Sequence, residues 1–154
     1  CPPDYLQPAL ESMARLNKAA AEAATELDVH ACTDITGFGL LGHLREMLQD
    51  GGIAAELELG QVPVLAGARE LAAAGHVPGG TRRNLSSVAN LASFDDGIDE
   101  VDRLILADAQ TSGGLLVALP PADADRLVAA LDDGVAAIVG EVVESADSQI
   151  RVKR

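Results

Sequence analysis

The sequence predicts an α/β (α+β) fold in which a mixed β-sheet is covered by helices, and three observations carry that expectation. Segments of helical period alternate with short apolar runs, residues 53–59 alternate as a strand buried on one face does, and glycine or proline marks most boundaries. At 154 residues the chain suffices for one domain with a real core and is short for two.

The elements follow in order. After Pro8, apolar Ala9, Met13, Leu16, Ala20, Ala23 and Leu27 share a face, and Glu11, Arg15, Lys18 and Glu22 form an opposite-charge ladder, which predicts a long amphipathic helix over 9–27. Residues 29–33 read as a short strand. A second helix is expected over 38–50, with Leu41, Leu44 and Leu48 on one side, His43, Glu46 and Asp50 on another, and Gly51-Gly52 as its stop. In 53–59, Ile53, Ala55, Leu57 and Leu59 alternate with Ala54, Glu56 and Glu58, so that strand should have a wet face. Residues 63–74 suggest a helix closed by Gly75. Residues 76–94 lack a sustained period and read as the longest loop, a length that usually signals function or mobility. Ile98, Val101, Leu104 and Ile105 suggest a short helix, 115–119 a buried strand, and Pro121 the start of a helix with core face Ala124, Leu127, Val128 and Leu131 and a stop at Gly134. Residues 135–143 and 150–152 supply the last strands.

Composition narrows the function classes. Hydrophobic content of 48% with 2% aromatic leaves Leu, Val, Ile and Ala to fill the core, with Tyr5, Phe38 and Phe94 as the large rings. Phe38 is expected to act as a staple-like anchor on that core. A net charge of -13 argues against nucleic acid or an anionic membrane as a partner, yet a small site of N–H groups, a metal and a basic residue can still hold phosphate. Apolar runs fall short of the roughly 20 residues that span a bilayer, and no signal peptide is visible, so a soluble, cytoplasmic location is expected. Cys1 and Cys32 give no disulfide framework, and Cys32 reads as reduced and buried. His30, Cys32 and Asp34 share a strand parity that superficially resembles a metal-ligand set. A start at Cys1-Pro2-Pro3 suggests a piece of a longer polypeptide.

Chemistry concentrates in three segments. Thr33-Asp34-Ile35-Thr36-Gly37-Phe38-Gly39-Leu40-Leu41-Gly42-His43 places a carboxylate, two hydroxyls and closely spaced glycines at a helix mouth, where unpaired N–H groups and the macrodipole attract anions. Asp34 beside phosphate asks for a hard cation between them, and the alternative is an Asp or Thr N-cap with a glycine turn. Gly79-Gly80-Thr81-Arg82-Arg83-Asn84 offers N–H groups, a hydroxyl and two guanidiniums, suited to phosphate; the alternative is solvated arginines or pairs with Asp95 and Asp96. Gln110-Thr111-Ser112-Gly113-Gly114 is either an anion-binding turn or a tight approach to the next strand. His43 is expected to face solvent beside Glu46 and Gln49, and His30 and His76 to be structural. No Ser-His-Asp or Cys-His set and no Walker-type loop stands out.

Thr33 to His43, Val77-Pro78-Gly79-Gly80-Thr81-Arg82-Arg83-Asn84 and Asp108-Ala109-Gln110-Thr111-Ser112-Gly113-Gly114-Leu115-Leu116, in that order, resemble the C-terminal domain of the selenophosphate synthetase (selenide, water dikinase) family of the AIR-synthase-related superfamily. Ala109 departs from the proline often found there. The resemblance covers essentially the whole chain and implies a single domain, 1–154, with the AIR-synthase C-terminal fold and without the N-terminal ATP-binding domain. It implies a reaction of selenide, ATP and water giving selenophosphate, AMP and phosphate, with Mg²⁺ as the working ion. Asp34 is the implied metal ligand. Thr36, Gly37, Gly39, Gly79, Gly80, Thr81, Arg82, Arg83, Thr111 and Ser112 are the implied nucleotide or phosphate contacts. The reactive cysteine or selenocysteine and the lysine belong to the other half, so no catalytic residue is expected here and the isolated chain should be inactive. Implied partners are ATP, selenide, the N-terminal domain and a second copy of the full-length protein. Alternatives are another ATP-dependent member of the superfamily (AIR synthase, thiamine-monophosphate kinase, a hydrogenase-maturation enzyme) or a non-catalytic binding module.

Overall fold

The computed structural model describes residues 1–49, 52–131, 136–145 and 149–154. In place of one helix over 9–27 there are two, α1 (Pro3–Ala14) and α2 (Lys18–Ala24). The chain turns extended at Arg15, with φ -69° and ψ 128°, although neither glycine nor proline stands there. Beyond the bend, Asn17 donates its side-chain amide to the Gly113 carbonyl at 2.9 Å, a tertiary bond that an unbroken helical pattern cannot anticipate.

β1 (Ala31–Asp34) leads through a turn to α3 (Gly39–Met47), whose Leu41 and Leu44 are buried together with Leu48 at its C-cap. β2 (Ile53–Glu58) and a 3-10 turn, Leu59–Gln61, precede α4 (Ala68–Ala73), which is half the expected length. Its N-cap is Gly67 at φ 79°, pressed so closely by Tyr5 that a Cβ would lie 2.4 Å from the ring.

Residues 76–94 are not the expected loop, because they hold α5 (Gly79–Ser87) and β3 (Ala92–Phe94). Thr81, Asn84, Leu85 and Val88 recur at i, i+3, i+4 and i+7 and are buried or half-buried, but the first two are polar and break the apolar signature. α6 (Glu100–Leu106) is capped by Asp99, whose carboxylate accepts the Asp102 N–H at 2.9 Å. β4 (Leu115–Ala118), α7 (Pro121–Leu131), β5 (Gly140–Glu144) and β6 (Ile150–Lys153) follow near their expected positions. The expected stop at Gly134 and strand start at Val135 lie outside the described residues.

The strands form two sheets. β1 and β4 pair antiparallel, and a mixed sheet runs in the order β3-β6-β2-β5, with β6 parallel to both neighbours and β5 antiparallel to β2. One core joins Leu41, Leu44 and Leu48 to Ala55 and Leu57 of β2, Ile150 and Val152 of β6, and Val88, Ile98 and Leu106. Full burial of each such large aliphatic contributes about 1.5–3 kcal/mol, so α3 and α6 are pinned on the sheet and their ends are held in place. The other face of β2 is wet only in part: Glu56 and Glu58 are half-buried, whereas Ala54 is buried. There the Lys153 ammonium bridges Glu56 and Glu58, and its pKa is raised chiefly by the hydrogen bond to Glu56. Among the described residues no helix is long and apolar enough to cross a membrane.

Candidate functional site

β1 ends at Asp34, opposite Leu115 of β4, and the pairing runs on into both loops. Ile35 N–H donates to the Gly114 carbonyl at 2.9 Å, Gly113 N–H to the Ile35 carbonyl at 3.0 Å, and Gln110 N–H to the Thr36 carbonyl at 2.9 Å. A Cβ on Gly113 would lie 2.3 Å from the Ile35 oxygen, so this approach requires glycine. The first and third motifs are therefore one hydrogen-bonded unit.

α5 brings in the second motif. The Thr81 hydroxyl donates to the Asp108 carboxylate, and the Asn84 amide donates to both the Gly37 carbonyl at 2.9 Å and the Ala107 carbonyl at 3.1 Å. Gly39 closes the junction. At φ 68° it presses against the 107–108 backbone, where a Cβ would meet Ala107 C and O at 2.6 Å. All three segments thus converge at the mouths of α3 and α5, neither of which carries a side-chain cap.

Open polar groups gather there. Asp34 is exposed, and its carboxylate has no hydrogen bond or ion pair among the described residues. The Gly37 and Phe38 N–H groups have no acceptor among those residues, and the first N–H groups of α5, from Gly79 and Gly80 onward, point out of the helix as such groups do. Arg83 is exposed and lies over this mouth, its Nη1 being 3.5 Å from the Cβ position of Gly79. Arg82 instead approaches Glu100 at 3.6 Å, so the ion-pair alternative applies to it, with Glu100 rather than Asp95 or Asp96. Thr81 is buried with its hydroxyl engaged by Asp108; Thr111 is exposed and Ser112 half-buried, both on the loop that holds Thr36.

The donor set fits Mg²⁺ in one way. No group of three His, Cys, Asp or Glu side chains converges among the described residues, so an all-protein cage is not formed. Mg²⁺ commonly binds through one or two carboxylates together with substrate phosphates and water, and the unpaired Asp34 suits one such ligand. Cys32, expected buried, is an exposed free thiol on the face of β1 that also carries Asp34. Partial burial, and secondarily the Asp34 charge, hold its pKa above the ordinary thiol value.

Two further expectations are corrected and one alternative is set aside. His43 is 6% exposed rather than solvated, since the 34–38 turn folds over it. Phe38 is 56% exposed and is no core staple; its ring lies 5.4 Å from the His43 ring. The N-cap of α3 is Phe38 itself with no capping side chain, so neither Asp34 nor Thr36 acts as the cap. Asn84, Asp108 and Gln110, which tie the segments together, stand within the quoted motifs without a predicted role. Recognising α5 would have exposed the Thr81–Asn84 pair as one face.

The family described as "AIR synthase related protein, C-terminal domain" matches residues 6–153, and the chain belongs to it. Within that class the chain is similar to proteins named selenide, water dikinase. The relative from Pelobacter propionicus is 42% identical over 153 residues, covering 97% of this chain and 44% of that protein. The relative from Myxococcus xanthus is 46% identical over 138 residues, 87% of this chain and 39% of that protein, and the one from Salmonella typhimurium is 44% identical over 153 residues, 98% and 43%. The chain therefore spans less than half the length of these relatives.

Proposed function

We propose that this domain forms one wall of an Mg²⁺–ATP site in a longer polypeptide that converts selenide, ATP and water to selenophosphate, AMP and phosphate. The observation that carries the proposal is the convergence of the three motif segments around an unpaired carboxylate and two uncapped helix mouths. The N–H groups of Gly37, Phe38 and the α5 mouth bind phosphate oxygens, Arg83 adds a charge-assisted donor, and Asp34 supplies one metal ligand. Bound Mg²⁺ neutralises the polyphosphate and lets a carboxylate stand beside it. The nucleophile and lysine come from the preceding domain, so this chain alone is inactive, and closure of the two domains excludes water from the site. The location is cytoplasmic, and the full-length protein pairs with a second copy.

Names of relatives at 42% to 46% identity favour this assignment over the other ATP-dependent members of the superfamily. The test is Asp34→Asn in a polypeptide of the relatives' length, assayed for selenide-dependent AMP formation across a magnesium titration. A sharp loss of turnover with an unchanged circular dichroism spectrum is expected. Full activity at every magnesium concentration would remove Asp34 from the site, and absence of selenide-dependent AMP formation by the parent polypeptide would remove the reaction.

A further inference from the structure

His43 is a buried imidazole whose two nitrogens meet unlike surroundings. Its Nε2 lies 3.1 Å from the Thr36 backbone nitrogen, which donates to it, and 3.2 Å from the Thr36 hydroxyl oxygen. An N–H donor facing Nε2 requires a lone pair there, so the ring proton sits on Nδ1. Among the described residues Nδ1 in turn has no hydrogen-bond partner, and the Glu46 Oε2 carboxylate oxygen stands 3.6 Å away. Phe38 packs its ring beside the imidazole, and Gly42 leaves room for it, since a Cβ there would meet Phe38 Cβ at 2.6 Å.

Thr36 is the pivot of the turn. Its carbonyl accepts from Gly39 at 3.1 Å and Gln110 at 2.9 Å, and its N–H is taken by His43, so every backbone polar group of the residue is engaged. The single lone pair of Nε2 is already engaged by the Thr36 N–H, so the Thr36 hydroxyl, 3.2 Å away, keeps a hydrogen that can turn toward a ligand. The backbone donors left to an anion are those of Gly37 and Phe38, the next two residues, which have no acceptor among the described residues.

We propose that His43, as the neutral Nδ1–H tautomer, is a positioning residue for the anion-binding turn: it fixes Thr36 and thereby leaves the Gly37 and Phe38 N–H groups free for ligand. The nucleotide part of this proposal rests on the function proposed above, whereas the tautomer does not. It is tested in two ways. Long-range nitrogen–proton correlation spectra of the labelled chain should show Nδ1 protonated and Nε2 unprotonated; the reverse tautomer overturns the proposal. In a polypeptide of the relatives' length, Mg²⁺·ATP affinity is measured by calorimetry for His43→Gln, which can return an acceptor near the Nε2 position, and His43→Leu, which fills the space without one. Leu should weaken binding roughly tenfold, about 1.4 kcal/mol, with Gln restoring most of it. Equal affinities in the two variants, whether both reduced or both unchanged, overturn the proposal. A parent polypeptide that binds Mg²⁺·ATP yet forms no AMP with selenide removes the proposed reaction and leaves the positioning role standing. One that does not bind Mg²⁺·ATP removes both.

Discussion

Gly39→Ala should destabilise the domain by an amount that can be worked from the backbone. The position has φ 68°, and left-handed conformation costs a residue with a Cβ about 1–2 kcal/mol. The added carbon would also sit 2.6 Å from Ala107 C and O and 2.7 Å from the Asp108 oxygen. These are backbone atoms, held by the Asn84 bond to the Ala107 carbonyl and by the packing of α6, so they cannot swing aside as a flexible side chain would. Overpacking of this kind costs about 1–3 kcal/mol. The sum, roughly 2–5 kcal/mol, lowers Tm by roughly 4–20 °C for a domain of this size. Thermal unfolding followed by circular dichroism measures it, with Gly37→Ala as control, because a Cβ at Gly37 meets nothing within 4 Å. A Tm for Gly39→Ala within about 2 °C of the parent would refute the close junction between the first and third motifs.

Asn84→Ala strips the Gly37 and Ala107 carbonyls of a shared donor and should cost about 1–3 kcal/mol in urea unfolding; a loss under about 0.5 kcal/mol contradicts the clamp. In a polypeptide of the relatives' length, Arg83→Ala should weaken Mg²⁺·ATP binding roughly tenfold in calorimetry, while Arg82→Ala, whose partner is Glu100, has a clearly smaller effect; equal losses contradict the division. For Cys32, burial and then the Asp34 charge disfavour the thiolate, so its alkylation should set in at higher pH than for an ordinary thiol. Asp34→Asn should move that profile partway back toward lower pH, the larger contribution of burial remaining, and an unmoved profile would separate the two side chains.

Much of the fold was legible because burial and period coincide. Leu41, Leu44 and Leu48 mark one helical stripe, and Ala55 and Leu57 alternate against Glu56 and Glu58, so α3 and β2 could be drawn from pattern alone. α5 was missed because its inward stripe carries Thr81, buried, and Asn84, half-buried, polar groups turned inward to bind other segments. The break between α1 and α2 and the shortening of α4 depend on partners distant in sequence, Gly113 for Asn17 and Tyr5 for Gly67. For the site, the motifs marked three segments that the fold brings together, but not how the side chains within them are arranged. A helical projection turns His43 outward, and only the fold of the 34–38 turn over α3 shows that the imidazole is enclosed and holds Thr36. Likewise Arg82 and Arg83 are equivalent as letters; the helix separates them, sending one toward Glu100 and the other over the α5 mouth.

The central claim is that three segments far apart in sequence form a single metal–phosphate site. Mn²⁺ in place of Mg²⁺ tests it directly, because the paramagnetic ion broadens nearby amide signals even at low occupancy. With substoichiometric Mn²⁺ and ATP added to the nitrogen-15-labelled chain, the signals of Asp34, Gly37 and Phe38, of Gly79 and Gly80, and of Thr111 and Ser112 should weaken together, and more strongly with ATP than without it. Broadening centred on the other acidic surface, around Glu56, Glu58 and Glu141, or confined to the Asp34 segment while the other two stay sharp, would contradict a shared site.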